Sequence, residues 1–284
     1  MSALRTIAGV VLLFGLPVRA QWSSSQPLND VLHGTRVSAV VVDVQTGTIA
    51  ESYGKAESAA APGSTLKPFV LKAALDAGIL EEHTTVHCRG VLVVKGHNLA
   101  CVHPRDVTII DARQALASSC NTYFATLAER MGPGTLSRAL RPYGLQPSGS
   151  VATPEDRVLL ALGVEGIKTT PIQLAMAYRQ LALALQSQNS RSNAAVRDGL
   201  MQSVETGMAH AASVGGMAIG GKTGSVDATN GQPGHGWFAG ILFRSEGPEA
   251  RATQVLVIYV PGGNGYDAAS LARQYFLKIQ RAQR

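Results

Sequence analysis

Aromatic residues are scarce in this chain of 284 residues, where tryptophan, tyrosine and phenylalanine together make up 5%. So few rings argue against the stacking platforms with which proteins bind nucleic acid, and we expect no nucleic-acid partner. Internal repeats and long linkers are also absent. With 45% hydrophobic and 15% charged residues, the sequence has a globular composition. The net charge of +6 is a mild basic excess that fits solubility or weak attraction to an anionic envelope polymer.

Cysteine is rarer still, with only Cys88, Cys101 and Cys120. The paired C-x-x-C spacing of many zinc sites is absent, so we predict no metal site and no cofactor. We interpret four nearby histidines as solvated loop residues: His83, His87, His97 and His103. In an oxidising compartment Cys88 and Cys101 could close a short loop as a disulfide worth about 3 kcal/mol. Cys120 would then be a small buried residue.

Long hydrophobic runs are lacking outside the N-terminus. There, MSALR gives a short positive start, IAGVVLLFGL an apolar stretch, and PVRA small residues before Gln21. This pattern predicts a secretory signal at 1–20, cleaved before Gln21. The apolar run is short for a membrane span, and an uncleaved anchor is the alternative. We therefore expect an exported protein, periplasmic or otherwise extracytoplasmic, which stays membrane-tethered if the signal is not cleaved.

The predicted elements place strands at both ends of the chain and helices between them. Residues 21–35 are polar and predict a flexible start, and 36–52 predicts a β-hairpin. Near the C-terminus MAIGGKTGSV, HGWFAGILF and ATQVLVIYV predict strands, followed by an amphipathic helix. We predict an α/β fold of the α+β type over 36–284. Its mainly antiparallel sheet would join both chain ends between flanking helices, with an all-helical lobe inserted at about 84–210.

The pattern Ser-x-x-Lys, in which a serine could be a nucleophile with a lysine base, occurs twice. Ser52 and Lys55 end a predicted strand, where residues three apart point to opposite faces. Ser64 and Lys67 open an apolar helix, where residues three apart share a face. A helix start favours developing negative charge at the serine, and burial would lower the pKa of the lysine. The sequence therefore favours Ser64 and Lys67 as the reactive pair.

Two further motifs could complete a site with this pair. Ser119-Cys120-Asn121 stands at a predicted break before an apolar helix, whereas the same spelling at Ser187-Gln188-Asn189 lies in a polar loop and is rejected. Lys222-Thr223-Gly224 lies on a predicted glycine-rich strand, where a substrate backbone could pair with the edge and Lys222 and Thr223 could hold a carboxylate. Each motif alone is explained as well by an ordinary structural role. The three together, in this order, indicate a site.

With these motifs the sequence resembles the transpeptidase domain of penicillin-binding proteins, in the superfamily of serine penicillin-recognising enzymes that includes serine β-lactamases. The resemblance covers about residues 36–280. It extends to DVQTGTIA as an opening hairpin, PGSTLKPFVLKAAL as a nucleophile helix and ALASSCNTYFATLAERMG as a second-motif helix. Three further segments also match the family pattern: TTPIQLAMAY, GGKTGS and HGWFAG. It implies that 36–284 is a catalytic domain with a β-lactamase/transpeptidase-like fold.

The resemblance implies a role for each motif residue. Ser64 attacks a carbonyl carbon and becomes acylated, and Lys67 is the base for that step. Ser119 relays a proton toward the leaving amine, and Asn121 positions the substrate amide. The implied oxyanion hole consists of the backbone N–H groups of Ser64 and Ser225.

The resemblance also implies the ligands. The third motif, Lys222, Thr223 and Gly224, would bind the terminal carboxylate of a peptidoglycan stem peptide ending in D-Ala-D-Ala. An amine acceptor would give a cross-link and water would give carboxypeptidase activity. β-Lactams would be covalent ligands, and protein partners in the cell envelope are left open.

Two other interpretations remain open. A class A β-lactamase needs a glutamate in a Glu-x-x-Leu-Asn type stretch, but Glu165 is followed by Gly-Ile-Lys-Thr. Class D enzymes usually have Ser-x-Val where this chain has Ser119-Cys120-Asn121. A non-catalytic sensor that binds β-lactam or peptidoglycan would not need the reactive residues, which are all present. We therefore favour an acyl-transferring enzyme, with a β-lactamase and a sensor as the alternatives.

Overall fold

The computed structural model describes residues 26–186, 190–228, 233–244 and 250–283. The predicted signal at 1–20 and the rejected Ser-x-Asn copy at 187–189 lie outside the described residues. Within these ranges, no helix is both long enough and apolar enough to cross a bilayer.

The N-terminal hairpin forms as predicted, but the segment before it differs from the prediction. Helix α1 (Pro27–Leu32) precedes strand β1 (Ser38–Asp43), which pairs antiparallel with β2 (Ile49–Tyr53). Leu28 and Leu32 are buried. Because these leucines are four residues apart, they share one helix face. The described part of the segment predicted to be flexible is therefore a packed helix.

Ser64 and Lys67 lie where a short turn meets a longer helix. A 3₁₀ turn at Gly63–Leu66 leads directly into α2 (Lys67–Asp76), and Gly78 follows with a left-handed φ of +63°. Glycine adopts this conformation without strain, which explains why the helix ends here.

The inserted lobe begins with short strands, which the all-helical prediction did not include. They pair as two small sheets, β3 with β6 and β4 with β5. The four strands are β3 (Val86–His87), β4 (Val93–Val94), β5 (His97–Asn98) and β6 (Ile109–Ile110). Valines between two left-handed glycines, Gly90 and Gly96, favour a turn and strands over a helix here.

The remainder of the lobe is helical. Side chains cap several of these helices, as Thr170 does for the helix that the sequence predicts from its Thr-Pro start. The helices are α3 (Ala112–Ala117), α4 (Asn121–Arg130), α5 (Thr135–Leu140), α6 (Pro154–Ala161), α7 (Pro171–Leu185) and α8 (Arg191–Glu205). The predicted break near Ser118–Ser119 falls between α3 and α4.

The chain ends with three strands and a helix, as predicted. They are β7 (Ala218–Val226), β8 (His235–Phe243), β9 (Ala252–Pro261) and α9 (Gly265–Ala282). The strands join the N-terminal hairpin in a five-stranded antiparallel sheet with the order β2-β1-β9-β8-β7. Strand β7 is therefore an edge strand, and β2 is the opposite edge.

Both faces of this sheet are buried. Alternate residues of β1 show it: Val40 and Val42 join the core beneath the lobe, whereas Ala39 and Val41 join a second core with α1 and α9. Trp237 on β8 is fully buried in the first core. The free edge of the sheet, strand β7, therefore lies where the sheet meets the lobe.

Candidate active site

Ser64 lies in the 3₁₀ turn that starts α2, and its neighbours fix the turn. Thr65 Oγ1 donates a hydrogen bond to the carbonyl oxygen of Pro62 at 2.8 Å, and Tyr178 OH donates to that of Thr65 at 2.7 Å. Tyr178 and Thr65 are buried, but Ser64 is only partly so. Ser64 Oγ makes no hydrogen bond with any described residue. Its hydroxyl is therefore held in a rigid setting and is free to meet a ligand.

Glycines bring three chain segments together around this turn. Gly63 N donates to Gly163 O at 2.9 Å, and a Cβ added to Gly163 would lie 2.2 Å from Gly63 O. On strand β7, a Cβ added to Gly224 would lie 2.5 Å from Pro62 O. Any larger side chain at 163 or 224 would push these backbones apart. The third motif therefore packs directly against the serine turn.

Lys67 is completely buried and connects the first motif to the second. Its Nζ atom donates to Ser119 O at 2.8 Å, to Ser119 Oγ at 3.1 Å and to Asn121 Oδ1 at 2.6 Å. The Phe124 ring centroid lies 5.1 Å from Nζ. The second motif thus surrounds the lysine with oxygen atoms on one side and an aromatic ring on another.

Burial lowers the pKa of Lys67 to about 7, although the nearby thiols of Cys120 and Cys101 act in the opposite direction. The surrounding oxygens also fit a neutral amine. When the amine is neutral, its two N–H groups can still donate to Ser119 O and Asn121 Oδ1, and the contact with Ser119 Oγ then reverses, so that the hydroxyl donates to the lone pair of the amine. The amine can therefore act as a base near neutral pH.

The second motif occupies the short link between α3 and α4. Ser119 has a φ of +57°, unusual for a residue with a side chain, and Asn121 is the first residue of α4. Asn121 Nδ2 donates to Leu99 O at 2.8 Å, so its amide is fixed at both ends. Cys120, between them, is fully buried, as predicted. The left-handed residue turns Ser119 and Asn121 toward the same lysine.

Lys222 lies on the face of β7 that meets the serine turn. Residues 222 and 224 share a face because strand side chains alternate, and Gly224 faces Pro62 and Thr65. Lys222 is completely buried, and its Nζ atom donates to Thr223 O at 3.1 Å. Burial, together with the positive charge of Lys67, holds the pKa of Lys222 well below its usual range. Two lysines thus share one enclosed region.

Thr223 and Ser225 lie on the other face of β7, next to the start of α9. Thr223 Oγ1 donates to Met208 O at 3.4 Å, and Gly265 N donates to Ser225 Oγ at 2.9 Å. Ser225 is exposed at the end of the strand. The sequence singled out only the backbone of Ser225. Its position two residues after Thr223 was the signal that its hydroxyl would lie on the same face.

A cleft of about 370 Å³ opens at the end of β7. His97 Nε2 and Glu165 Oε1 lie 2.7 Å apart in its wall. The lining residues are Gly96, His97, Asn98, Leu99, Val164, Glu165, Ser225, Val226 and Asp227. The sequence analysis did not assign His97 or Glu165 to the site, because they are far apart in the chain and meet only through the fold.

The other Ser-x-x-Lys copy is remote from these residues. Ser52 lies on β2 and pairs with Val40, at the sheet edge opposite β7. The rejection of this copy on its strand setting agrees with its place in the fold. His235 and Trp237 support the segment just before the serine turn. His235 Nε2 and Trp237 Nε1 lie 2.8 and 2.9 Å from the carbonyl oxygen of Ala61.

The cysteines and one histidine differ from the prediction. Cys88 Sγ and Cys101 Sγ are 3.5 Å apart, and the cysteines are free thiols rather than the disulfide that the sequence left possible, whose sulfur atoms would be about 2.05 Å apart. His103, predicted to be solvated, is buried, with Nε2 3.4 Å from Cys88 Sγ. The fold brings Cys120 to the same place, 3.7 Å from Cys101 Sγ, and no pair of thiols is favoured.

With this geometry established, comparison with known families identifies the domain. The sequence model of the family described as penicillin binding protein transpeptidase domain matches residues 37–279. The chain belongs to this family. The resemblance inferred from the sequence motifs is therefore confirmed.

Curated relatives are similar over parts of this domain. The peptidoglycan D,D-transpeptidase MrdA of Acinetobacter baumannii is 26% identical over 141 residues, which cover 41% of this chain and 21% of MrdA. Penicillin-binding protein 1A of Neisseria gonorrhoeae is 32% identical over 126 residues, or 43% of this chain and 15% of that protein. The chain thus aligns with about a fifth or less of the length of these relatives.

Solved structures share the fold. The D,D-transpeptidase domain of a peptidoglycan glycosyltransferase from Eggerthella lenta superposes with a TM-score of 0.74 at 20% identity, covering 91% of this chain and 81% of that one. The transpeptidase domain of penicillin-binding protein 3 from Burkholderia pseudomallei gives 0.73 at 20% identity, covering 90% and 91%. The predicted fold class is therefore confirmed.

Proposed function

We propose that this protein is a penicillin-binding serine acyltransferase, a D,D-transpeptidase or D,D-carboxypeptidase that works through an acyl-enzyme on Ser64. One observation carries the proposal. A buried lysine with a pKa near 7, Lys67, is held by Ser119 and Asn121 beside a serine turn whose hydroxyl has no hydrogen-bond partner among the described residues. A lysine buried for structural reasons alone would not need a serine hydroxyl and an asparagine amide on its amine, and a shifted pKa in such a cluster is typical of functional sites.

The first step of the proposed reaction is acylation. Ser64 Oγ attacks the carbonyl carbon of the scissile amide, and its proton passes to Lys67 Nζ, which burial keeps available as a neutral amine. The backbone N–H groups of Ser64 and Ser225 would bind the oxyanion that forms. A Cβ placed on Gly63 would lie 3.3 Å from Ser225 N, so that strand end is close to the serine turn. Such a donor pair is typically worth a few kcal/mol in the transition state.

Departure of the leaving group completes acylation. The amine needs a proton, and Ser119 Oγ lies 3.1 Å from Lys67 Nζ, so a proton can return through this hydroxyl. The C–N bond then breaks and leaves an ester on Ser64. Attack by an amine would transfer the acyl group to a second peptide, and attack by water would release it. Asn121 would hold the peptide amide from the lobe side.

For substrates, we propose peptidoglycan stem peptides that end in D-Ala-D-Ala. The edge strand β7 offers unpaired backbone groups with which an extended peptide can pair. Lys222, on the face that meets the serine turn, would attract the terminal carboxylate, with Gly224 leaving space for the peptide backbone. Thr223, on the opposite face, would reach the carboxylate from across the strand edge. Ser225 adds an exposed hydroxyl on the Thr223 face. β-Lactams would bind beside the serine turn at the same strand edge, as covalent ligands. These substrates lie outside the cytoplasm, in accordance with the proposed export of the chain.

The proposal is tested with a fluorescent penicillin. We expect a stoichiometric, long-lived adduct on Ser64, located by mass spectrometry of the labelled peptide. Ser64→Ala should abolish labelling, while the matched control Ser52→Ala, which alters the serine of the other copy, should label like the parent. Labelling of Ser64→Ala at the parental rate would overturn the assignment of the nucleophile.

The fate of the adduct separates the alternatives. Rapid loss of the label with hydrolysed penicillin in solution would indicate a β-lactamase, and no label on a folded protein would indicate a non-catalytic binding domain. With a D-Ala-D-Ala peptide and an added amine, release of the terminal D-Ala and gain of the amine in its place, a mass change equal to the amine minus D-alanine, identifies a transpeptidase. Loss of one D-Ala without amine incorporation identifies a carboxypeptidase.

A further inference from the structure

Three thiols and one imidazole converge beneath the second motif, in a place that the proposed reaction does not use. The donor atoms of Cys88, Cys101, His103 and Cys120 all lie within 4.8 Å of one another. Three of these residues are buried and Cys101 is partly buried. Four such donors from separate stretches of the chain are costly to bring together unless something binds them.

The separations fit a tetrahedral metal centre. With Zn–S bonds of about 2.3 Å and Zn–N bonds of about 2.0–2.1 Å, neighbouring donors in a tetrahedron are roughly 3.8 Å apart for two sulfurs and 3.6 Å for sulfur and nitrogen. The sulfur of Cys101 lies 3.5 Å from that of Cys88 and 3.7 Å from that of Cys120. Cys88 Sγ lies 3.4 Å from His103 Nε2. These three edges lie within about 0.3 Å of the tetrahedral value, and the other three are no longer than 4.8 Å.

Groups around the cluster hold its members in the orientation that a metal requires. His103 Nδ1 donates to Pro104 O at 3.0 Å, which fixes the proton on Nδ1 and leaves the Nε2 lone pair facing the thiols. Gly90 N donates to Cys88 Sγ at 3.4 Å, as backbone amides do for a thiolate. Thr122 Oγ1 lies 3.5 Å from Cys88 Sγ and 3.6 Å from Cys101 Sγ.

We propose that Cys88, Cys101, His103 and Cys120 bind one Zn²⁺ ion in a structural site. Three thiolates and an imidazole form a soft donor set that suits zinc, and a tetrahedral Cys₃His set closes the coordination sphere. With four protein ligands the ion has no position for water, so its role is to hold the fold. A disulfide would use two sulfurs and leave the remaining thiol and the oriented imidazole without a purpose. This proposal departs from the prediction of no metal site that was made from the sequence.

The proposed zinc site links a segment with little apolar burial to the second motif. The stretch from β3 to β6 exposes Val91, Val93, Val102 and Ile109, so little apolar burial holds it in place. Cys88 and Cys101 come from this stretch, whereas Cys120 is the residue before α4. A metal bound by all of them would fasten the stretch to the start of α4, next to the two residues that hold Lys67.

Metal analysis of the full chain, expressed in zinc-supplemented medium and purified with a thiol reductant, tests the proposal. We expect about one zinc per chain by elemental mass spectrometry. Replacement of the zinc by Co²⁺ should give the intense visible absorption of tetrahedral cobalt thiolate. Cys88→Ser and His103→Ala should reduce bound zinc at least tenfold. The control His83→Ala changes an exposed histidine in the same region and should leave zinc content unchanged.

Two further variants guard against misfolding as the cause of zinc loss. His103→Cys supplies a fourth thiol and should retain the metal, while Thr122→Val keeps all four ligands and should weaken zinc binding by about 10- to 100-fold in a chelator competition. Zinc content that is unchanged by Cys88→Ser and His103→Ala would overturn the proposal. A protein without metal, or one with a disulfide among these cysteines after reducing purification, would also overturn it. None of these measurements involves acylation, so the proposed function stands or falls separately.

Discussion

The amine of Lys67 donates a hydrogen bond of 2.6 Å to Asn121 Oδ1, and this contact joins the first motif to the second. Asn121 in turn donates from Nδ2 to Leu99 O in the stretch that follows β5. Asn121 therefore orients the buried amine and also connects the stretch around Leu99 to the site. In the proposed mechanism it would also meet the substrate amide.

Asn121→Ala should slow acylation of Ser64 roughly 10- to 100-fold, since Lys67 would lose an acceptor that fixes its position. The change leaves Leu99 O without its donor, so the free energy of unfolding should also fall by about 1–3 kcal/mol. Acylation rates with fluorescent penicillin and urea denaturation measure the two effects. The exposed Asn29, on α1, provides the control Asn29→Ala, which should alter neither. Parental acylation by Asn121→Ala would contradict the positioning role.

Lys67→Met should lower the acylation rate by about 10²–10⁴-fold, the range for loss of a positioned base. It should not unfold the protein, because methionine fills a similar volume and removes an amine that is costly to bury. The matched control is Lys72→Met on the same helix, where Lys72 pairs with Asp76 near the surface. Thermal denaturation establishes that both variants are folded. If Lys67→Met is labelled as fast as Lys72→Met, another group is the base.

Acylation should rise with pH and level off above about 7, the pKa to which burial lowers Lys67. The sign follows from the reactive form: below this pKa the amine is protonated and cannot accept the proton of Ser64, and above it the neutral base predominates. Stopped-flow labelling from pH 5.5 to 9 would show a single rise at a constant folded fraction. A rate that is flat across this range would contradict Lys67 as the base.

Local patterns were enough to predict most of the fold and the three motifs. Val40 and Val42 belong to a β-branched run before a turn, and Ser64 and Lys67 open an apolar stretch with helical spacing. Such signals lie within a few residues of one another and depend on backbone geometry alone. Ser52 could be rejected for the same reason, since its strand setting is legible from its neighbours.

The residues that were missed depend on contacts between distant segments. His103 follows Cys101 by two residues, but Cys88 and Cys120 lie 13 and 19 residues from Cys101, at no spacing that marks a metal site. Tyr178, which holds the serine turn, is 113 residues from Thr65. No local sequence pattern predicts contacts between segments so far apart in the chain. They follow from the packing of the lobe against the sheet, which the sequence predicted in outline only.

Removal of zinc should slow acylation of Ser64 about 10- to 100-fold, if the proposed metal site holds the second motif. Cys120 lies between Ser119 and Asn121, and Leu99, the acceptor for Asn121, is two residues before Cys101. Loss of the ion would free both sides of that hydrogen bond, so Lys67 would lose the fixed surroundings that make it a base. The expected size is that of a lost supporting shell around a site.

The measurement compares metal-depleted and zinc-loaded protein under a thiol reductant. Depleted protein should regain its acylation rate when one equivalent of Zn²⁺ is added. His103→Ala should stay slow with or without zinc, and His83→Ala should respond like the parent. Circular dichroism separates a loosened site from an unfolded chain. Equal acylation rates for depleted and loaded protein, both folded, would show that the ion holds the outer stretch of the lobe without influencing Lys67, and the coupling argued from the Asn121–Leu99 contact would be wrong.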